Sequence, residues 1–281
     1  MSKIAVVTDS TAYLPKEIIE KYNINVVPLS VNFANKTFKE GFDISTKDFY
    51  EKVVGMEELP TTSQPAIGEF LYLYEKLAKN HSEAIAIHLS SGISGTLNTS
   101  RTAANMVDEI NVEVIDSKIA CYGLGFMVIE TAKLAEEGKS VAEIKERMDY
   151  LVENMRGFFV VDDLAYLHKG GRLNAAQYLV GSMLKIKPII YFNDKVLEPF
   201  EKVRTKKKAL ERILQLLHED AKSGAPIMLS VVQANVEEEA KELLEWIQKE
   251  YSNVEGNISD FGPVIGTHTG PGTLGMVWYV K

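Results

Sequence analysis

The chain has 281 residues, 46% hydrophobic and 25% charged, with a formal net charge of -8 and a pI near 5.3. That much apolar side chain fills one large or two ordinary cores and excludes a disordered protein. The acidic balance, with no basic stripe beyond the short run Lys206 to Lys208, argues against a nucleic-acid binder.

The N-terminus, MSKIAVVTDS, runs straight into a strand pattern, without an apolar signal core or a small-residue cleavage site. No uncharged apolar run approaches the roughly 20 residues that span a bilayer, so the expectation is a soluble, cytoplasmic protein. The single cysteine, Cys121, excludes an internal disulfide framework and reads as a small buried apolar residue in a reducing compartment.

Short β-branched runs alternate with amphipathic helical patterns through the first half, the mark of a parallel sheet flanked by helices. Residues 4 to 8 read as strand, 15 to 22 as helix, 25 to 31 as one strand, then a hairpin around Asn35 and a helix over 47 to 54 capped by Ser45 or Thr46. After the segment TTSQP, apolar residues at helical spacing predict a helix over 65 to 80 with Pro65 at or near its first position. A strand at 84 to 90, a helix at 95 to 107, a strand at 112 to 116 and helices at 123 to 137 and 140 to 154 follow.

From FFVVDD (158 to 163) the pattern changes. Strands at 187 to 192 and 195 to 200, joined by a tight turn at Asn193 and Asp194, are followed by helices at 205 to 222 and 236 to 251. Further strands are expected at 225 to 233, 253 to 259 and in the final GMVWYV. The fold class is α/β with two domains: an N-terminal α/β/α domain over 1 to 157 with a mainly parallel sheet, and a C-terminal α/β domain over 158 to 281 with a mixed or antiparallel sheet. The boundary is expected near Gly157.

Four polar clusters stand out: TDST (8 to 11), TTSQP (61 to 65), SSGISGT (90 to 96) and GTHTGPGT (266 to 273). The first and third follow a strand and precede a helix, the edge of an open α/β sheet where ligands bind. In SSGISGT the unpaired N-H groups and positive dipole end of a helix start, with Ser and Thr hydroxyls, offer an anion site free of lysine or arginine. The same residues read equally as a glycine loop with Ser94 or Thr96 as an ordinary cap, and Thr62 or Ser63 as the cap of the next helix. His268 is expected in a Gly- and Thr-rich loop, whereas His88 belongs to an apolar strand. HKGGRL (168 to 173) reads as a helix end and turn, from which Arg172 could reach an acidic neighbour or a phosphate.

The common enzyme templates fail. Around Ser94 the nucleophile elbow G-x-S-x-G has Thr96 where its second glycine belongs. Neither G-x-G-x-x-G nor a Walker A lysine motif is present, the five histidines form no H-x-x-x-H pair, and no metal or cofactor is expected.

Taken in order, VTDSTAYLP, PTTSQP, LSSGISGT, KGGRL and GTHTGPGTLG resemble the DegV family, the fatty-acid-binding proteins of bacterial fatty acid kinase systems. The resemblance runs from about Ile4 to the C-terminus. It implies a carrier without catalytic residues that buries a long-chain fatty acid and presents its carboxylate to a separate ATP-dependent kinase subunit, which forms an acyl phosphate for lipid metabolism. It also implies carboxylate contacts from Thr62 and Ser94, with Ser63, Gly95 and His268 as neighbours. Phe126, Met127, Ile129, Phe158, Phe159, Ile189 and Ile190 are candidates for the tail pocket or plain core. The basic stretch beginning at Arg204 is a candidate contact for an acidic partner. The alternative is a serine esterase or thioesterase using Ser94 and His268.

Overall fold

The computed structural model describes residues 4–56, 58–173 and 186–281. The chain divides into two compact units, Met1–Asp43 with Thr62–Glu153 and Ile44–Thr61 with Asn154–Lys281, so a short excursion before TTSQP groups with the C-terminal half.

The chain begins with β1 (Ile4–Asp9), a 3-10 turn (Ser10–Ala12), α1 (Lys16–Lys21), β2 (Asn25–Val27), β3 (Ser30–Phe33) and β4 (Lys36–Lys39). After α2 (Thr46–Val53), which lies in the second unit, come β5 (Thr61–Ser63), α3 (Ile67–Ala78), β6 (Glu83–His88), α4 (Thr96–Ala104), β7 (Asn111–Asp116), α5 (Tyr122–Glu136) and α6 (Val141–Asn154). Strands pair in parallel in the order β2-β1-β6-β7, the α/β sheet that the alternation predicts. Ala5 and Val7 of β1 with Ala84 and Ala86 of β6 form one core with Phe70, Tyr74 and Leu77 of α3 and Ala103 of α4. Strand alternation then places Asp9 and His88 on that same face, at the C-terminal ends of their strands.

The stretch 25 to 31 is two strands rather than one. Pro28 has no N-H for a ladder; β2 stays in the parallel sheet, whereas β3 leaves for a three-stranded sheet ordered β4-β3-β5. The hairpin around Asn35 is β3 pairing antiparallel with β4. Helix α2 starts with a capping box, Ser45 Oγ accepting from Asp48 N-H at 3.1 Å while the Asp48 carboxylate accepts from Ser45.

The second unit continues with β8 (Arg156–Val160), α7 (Leu164–Gly170), β9 (Lys187–Asn193), β10 (Val196–Val203), α8 (Lys206–Ala221), β11 (Ile227–Gln233), α9 (Glu237–Glu250), β12 (Val254–Asp260), α10 (Pro263–Thr269) and β13 (Leu274–Val280). Its mixed sheet runs β10-β9-β8-β13-β11-β12, with β11 parallel to β12 and the other pairs antiparallel. Phe158, Ile189, Leu229, Val231, Met276 and Trp278 pack with Ile213 and Leu217 of α8 and Ile247 of α9. Trp278 is fully buried, and its indole N-H donates to Asp220 Oδ2 at 2.8 Å. Phe158 and Ile189 are therefore core beneath α8 and α9, while Phe159 and Ile190 point to the opposite face.

The expected loop at 266 to 273 begins as helix α10, every residue of which is buried. Pro263 opens it without sacrificing a needed donor. The Thr267 and Thr269 hydroxyls donate to the carbonyls of Pro263 (2.8 Å) and Ile265 (3.1 Å), so polar side chains are absorbed within the helix. Gly270, at φ +76, ends it.

Candidate functional site

The C-terminal edge of the parallel sheet brings together three of the four polar clusters. Thr62 and Ser63 lie in β5, at the edge of the small sheet, with Asn32 Nδ2 donating to Ser63 Oγ at 3.3 Å. Neither caps α3: its N-cap is Ala66, with no side-chain hydrogen bond, and the helix starts at Ile67, after Pro65. Engagement in the β3 ladder holds the hydroxyls away from the helix end.

Across from them α4 begins at Thr96 with Gly95 as N-cap, so neither Ser94 nor Thr96 occupies the cap position. Ser94 Oγ accepts from Thr96 N-H at 3.3 Å and shares a 2.9 Å hydrogen bond with Thr96 Oγ1. Ser94 and Gly95 are half-buried, whereas Thr96 is fully buried. The preceding loop is tied to β7: Ser91 donates its hydroxyl and its N-H to the Asp116 carboxylate.

Gln64 joins the two segments. Its Nε2 donates to Thr99 Oγ1 at 2.6 Å, and Thr99 N-H donates to Gly95 O at 3.0 Å. The carboxamide lies so close over the loop that a Cβ at position 95 would meet Gln64 Oε1 at 2.0 Å. Gly95 is thus required by close approach, and its φ of -80° is ordinary. Gln64 stands inside TTSQP, but its role depends on a helix 31 residues further on, beyond the reach of local pattern.

A buried row lies beneath this edge. Asp9 Oδ1 accepts from Thr11 N-H (3.1 Å) and Thr11 Oγ1 (2.5 Å); Asp9 Oδ2 accepts from Leu89 N-H (2.9 Å) and lies 3.1 Å from His88 Nδ1. His88 Nε2 lies 2.9 Å from Ser100 Oγ, which is 2.6 Å from Tyr74 OH. All four side chains are fully buried. Burial pushes the Tyr74 phenol up to about 12, with the Ser100 bond opposing it. The order Asp, His, Ser has the connectivity of a hydrolase relay, but Ser100 sits in mid-helix, fully buried, with Tyr74 on its other side.

His268 and Arg204 belong to the second unit. His268 is in the last turn of α10 and buried, against the expectation of a loop residue. Desolvation, and secondly the Arg172 guanidinium, push its imidazole down to about 3, so it is neutral at physiological pH. Gly170 allows this packing, since a Cβ there would meet His268 Nδ1 at 2.3 Å. Arg172 donates to Gly170 O at 2.6 Å. Arg204 is exposed, between β10 and the Thr205 cap of α8. Among the described residues, no group of three or more His, Cys, Asp or Glu is placed to hold a metal, and no helix is long and apolar enough to cross a membrane. A groove of about 400 Å³ lined by Glu75, Ala78, Lys79, Met106, Val107 and Glu109 opens at the C-terminal ends of α3 and α4, away from these residues.

The family model described as an uncharacterised protein of the DegV family matches residues 3–281. The chain belongs to the DegV family. Protein DegV of Bacillus subtilis (strain 168) is 50% identical over 279 residues, 99% of each chain. The solved structure of DegV, a fatty acid binding protein from Bacillus subtilis, is similar with a TM-score of 0.95 at 48% identity, covering 100% of both chains. A fatty-acid-binding DegV family protein from Thermus thermophilus matches with a TM-score of 0.93 at 30% identity, again over 100% of both. These DegV relatives share the α/β architecture described above.

Proposed function

We propose that this chain binds a long-chain fatty acid, buries its tail and presents its carboxylate to a separate ATP-dependent kinase subunit. The observation that carries the reading is the Gln64 tie, which holds the hydroxyl-bearing strand of Thr62 and Ser63 against the helix start of Ser94 and Gly95. The fatty-acid-binding relatives support the ligand class.

A neutral seat suits this task. Arginine would hold both carboxylate oxygens in charge-assisted bonds and blunt their nucleophilicity. Hydroxyls and helix N-H groups orient the group and leave one oxygen to attack the γ-phosphorus of ATP, forming the acyl phosphate O-P bond as ADP departs. The kinase supplies ATP and transition-state stabilisation; this chain supplies orientation. The resemblance names His268 as a further donor, and its neutral imidazole suits that role. Affinity then comes from the tail: about 14 methylenes at roughly 0.8 kcal/mol each give ~11 kcal/mol before ordering costs.

The test is mass spectrometry of an organic extract of the purified protein, quantified against protein concentration. Near-stoichiometric C14 to C18 acid is expected. An empty protein that also refuses added fatty acid, or one that hydrolyses an activated ester through Ser94, refutes the carrier reading. The kinase step is tested by Arg204→Glu, expected to lower phosphorylation at limiting kinase while leaving fatty acid retention unchanged; unaltered phosphorylation removes Arg204 as a partner contact.

A further inference from the structure

The TDST cluster and four buried polar side chains take no part in the function proposed above. A strand end needs no carboxylate, imidazole, hydroxyl and phenol in line, because apolar residues fill such a place at lower desolvation cost. Their connectivity offers a purpose. Asp9 holds the 3-10 turn after β1 through Thr11 and the start of the loop after β6 through Leu89 N-H. The same carboxylate lies 3.1 Å from His88 Nδ1. Ser100 Oγ lies 2.9 Å from His88 Nε2 and 2.6 Å from Tyr74 OH. One unbroken line of hydrogen bonds runs from α3, through α4 and β6, to β1.

Ser100 lies one helical turn beyond Thr96 on the same buried face of α4. Thr96 in turn holds Ser94 through its N-H and its hydroxyl. A helix of this length moves as a rigid rod, so the hydrogen bonds at Ser100 set its axial position and rotation, and those set where Ser94 Oγ and Gly95 stand. We propose that the Asp9-His88-Ser100-Tyr74 row is the positioning device of the carboxylate seat, with Ser100 as the point at which it grips α4. The inference rests on the reading of the Ser94 end of α4 as that seat. The row touches no ligand; it acts through the helix. The Phe70 ring, edge-on to the His88 ring at 5.3 Å between centroids, closes the remaining side and keeps the imidazole plane aligned.

The experiment compares hexadecanoic acid with its methyl ester by displacement of a fluorescent fatty acid, in delipidated full-length protein, with melting temperature recorded for each variant. The ratio of ester to acid dissociation constants reads head-group recognition alone. Ser94→Ala, which removes a seat hydroxyl, and Ser100→Ala, which removes the grip, are both expected to lower that ratio about fivefold, the scale of one hydrogen bond. Ester affinity should stay within about twofold of the parent, because the tail is untouched. A merely structural role would lower the melting temperature of Ser100→Ala and leave the ratio unchanged, and that result overturns the proposal. If Ser94→Ala lowers the ratio and Ser100→Ala does not, the seat stands and only the positioning inference falls. If Ser94→Ala has no effect, the seat reading fails and takes the inference with it. Should Ser100→Ala not fold, Tyr74→Phe removes only the outer hydroxyl at nearly constant volume; a fall in ratio supports the device and an unchanged ratio refutes it.

Discussion

His268 makes the stability of this protein depend on pH in a calculable way. The folded imidazole is held down to about 3, first by burial and then by Arg172, while an unfolded histidine titrates near 6.5. Between those values the unfolded chain carries a proton that the folded one refuses, so stability is complete above pH 6.5 and falls as the solution is acidified towards 3. Each pH unit inside the window costs about 1.4 kcal/mol, and the descent from pH 7 to pH 5 removes about 2 kcal/mol. The perturbation is His268→Gln, which has no proton to take up and should abolish this part of the slope. The assay is urea unfolding of delipidated protein at both pH values, since bound ligand would add its own stabilisation. The other histidines are common to both proteins and cancel in the comparison. Arg172→Met should flatten the slope only in part, because burial is the larger cause. Equal pH dependence in parent and His268→Gln, or a His268 ring proton titrating near 6.5 by NMR, would show that His268 does not set this slope.

Other outcomes follow from single contacts. Gly95→Ala should weaken fatty acid binding by displacing Gln64 from Thr99, and the effect should largely vanish in a Gln64→Ala background; a double-mutant cycle without coupling would count against the close approach. Tyr50→Phe removes the phenol that donates to Phe261 O at 2.6 Å and should cost about 1 to 2 kcal/mol by denaturant unfolding. Gly266→Ala, whose Cβ would meet Tyr50 OH at 2.5 Å, should cost at least as much, and a neutral result there would contradict the packing of α2 on α10. Burial pushes the Cys121 thiol well above its ordinary value, so it should resist a disulfide reagent in native protein and react at once in urea; fast native labelling would disprove its burial.

The elements that sequence revealed best are those with a sustained apolar pattern. Strands β1, β6 and β7 and helices α3, α5, α6, α8 and α9 lie within a few residues of their expected places, β1 and β6 because they are apolar runs buried on both faces, and α3, α6, α8 and α9 because one face of each repeats an apolar pattern. The failures share a cause: local composition was overruled by tertiary surroundings. Residues 266 to 269 read as a loop because Gly and Thr favour loops, yet burial of all of α10 and back-bonding by its threonines make a helix the better solution. Thr62 and Ser63 read as a helix cap because they precede one, yet β3 offers them a ladder that sequence cannot announce.

The candidate site was half legible for a related reason. A hydroxyl-rich helix start advertises itself locally, so Ser94 and Gly95 could be picked from SSGISGT alone. The groups that hold such a start in place are spread along the chain: Gln64 31 residues before Gly95, Asp9 79 residues before His88, Tyr74 26 residues before Ser100. Alternation does predict that Asp9 shares a face with Val7, and His88 with Ala86. Only the pairing of β1 with β6, in the register Thr8 to Ile87, turns those two predictions into one contact. A neutral anion site has no charge to fix its geometry at long range, and its donors must be placed by packing and by short hydrogen bonds from distant segments. On the proposed reading, the weaker the intrinsic attraction of the seat, the more of the fold is committed to aiming it, and the deep burial of Asp9, His88, Ser100 and Tyr74 serves that end.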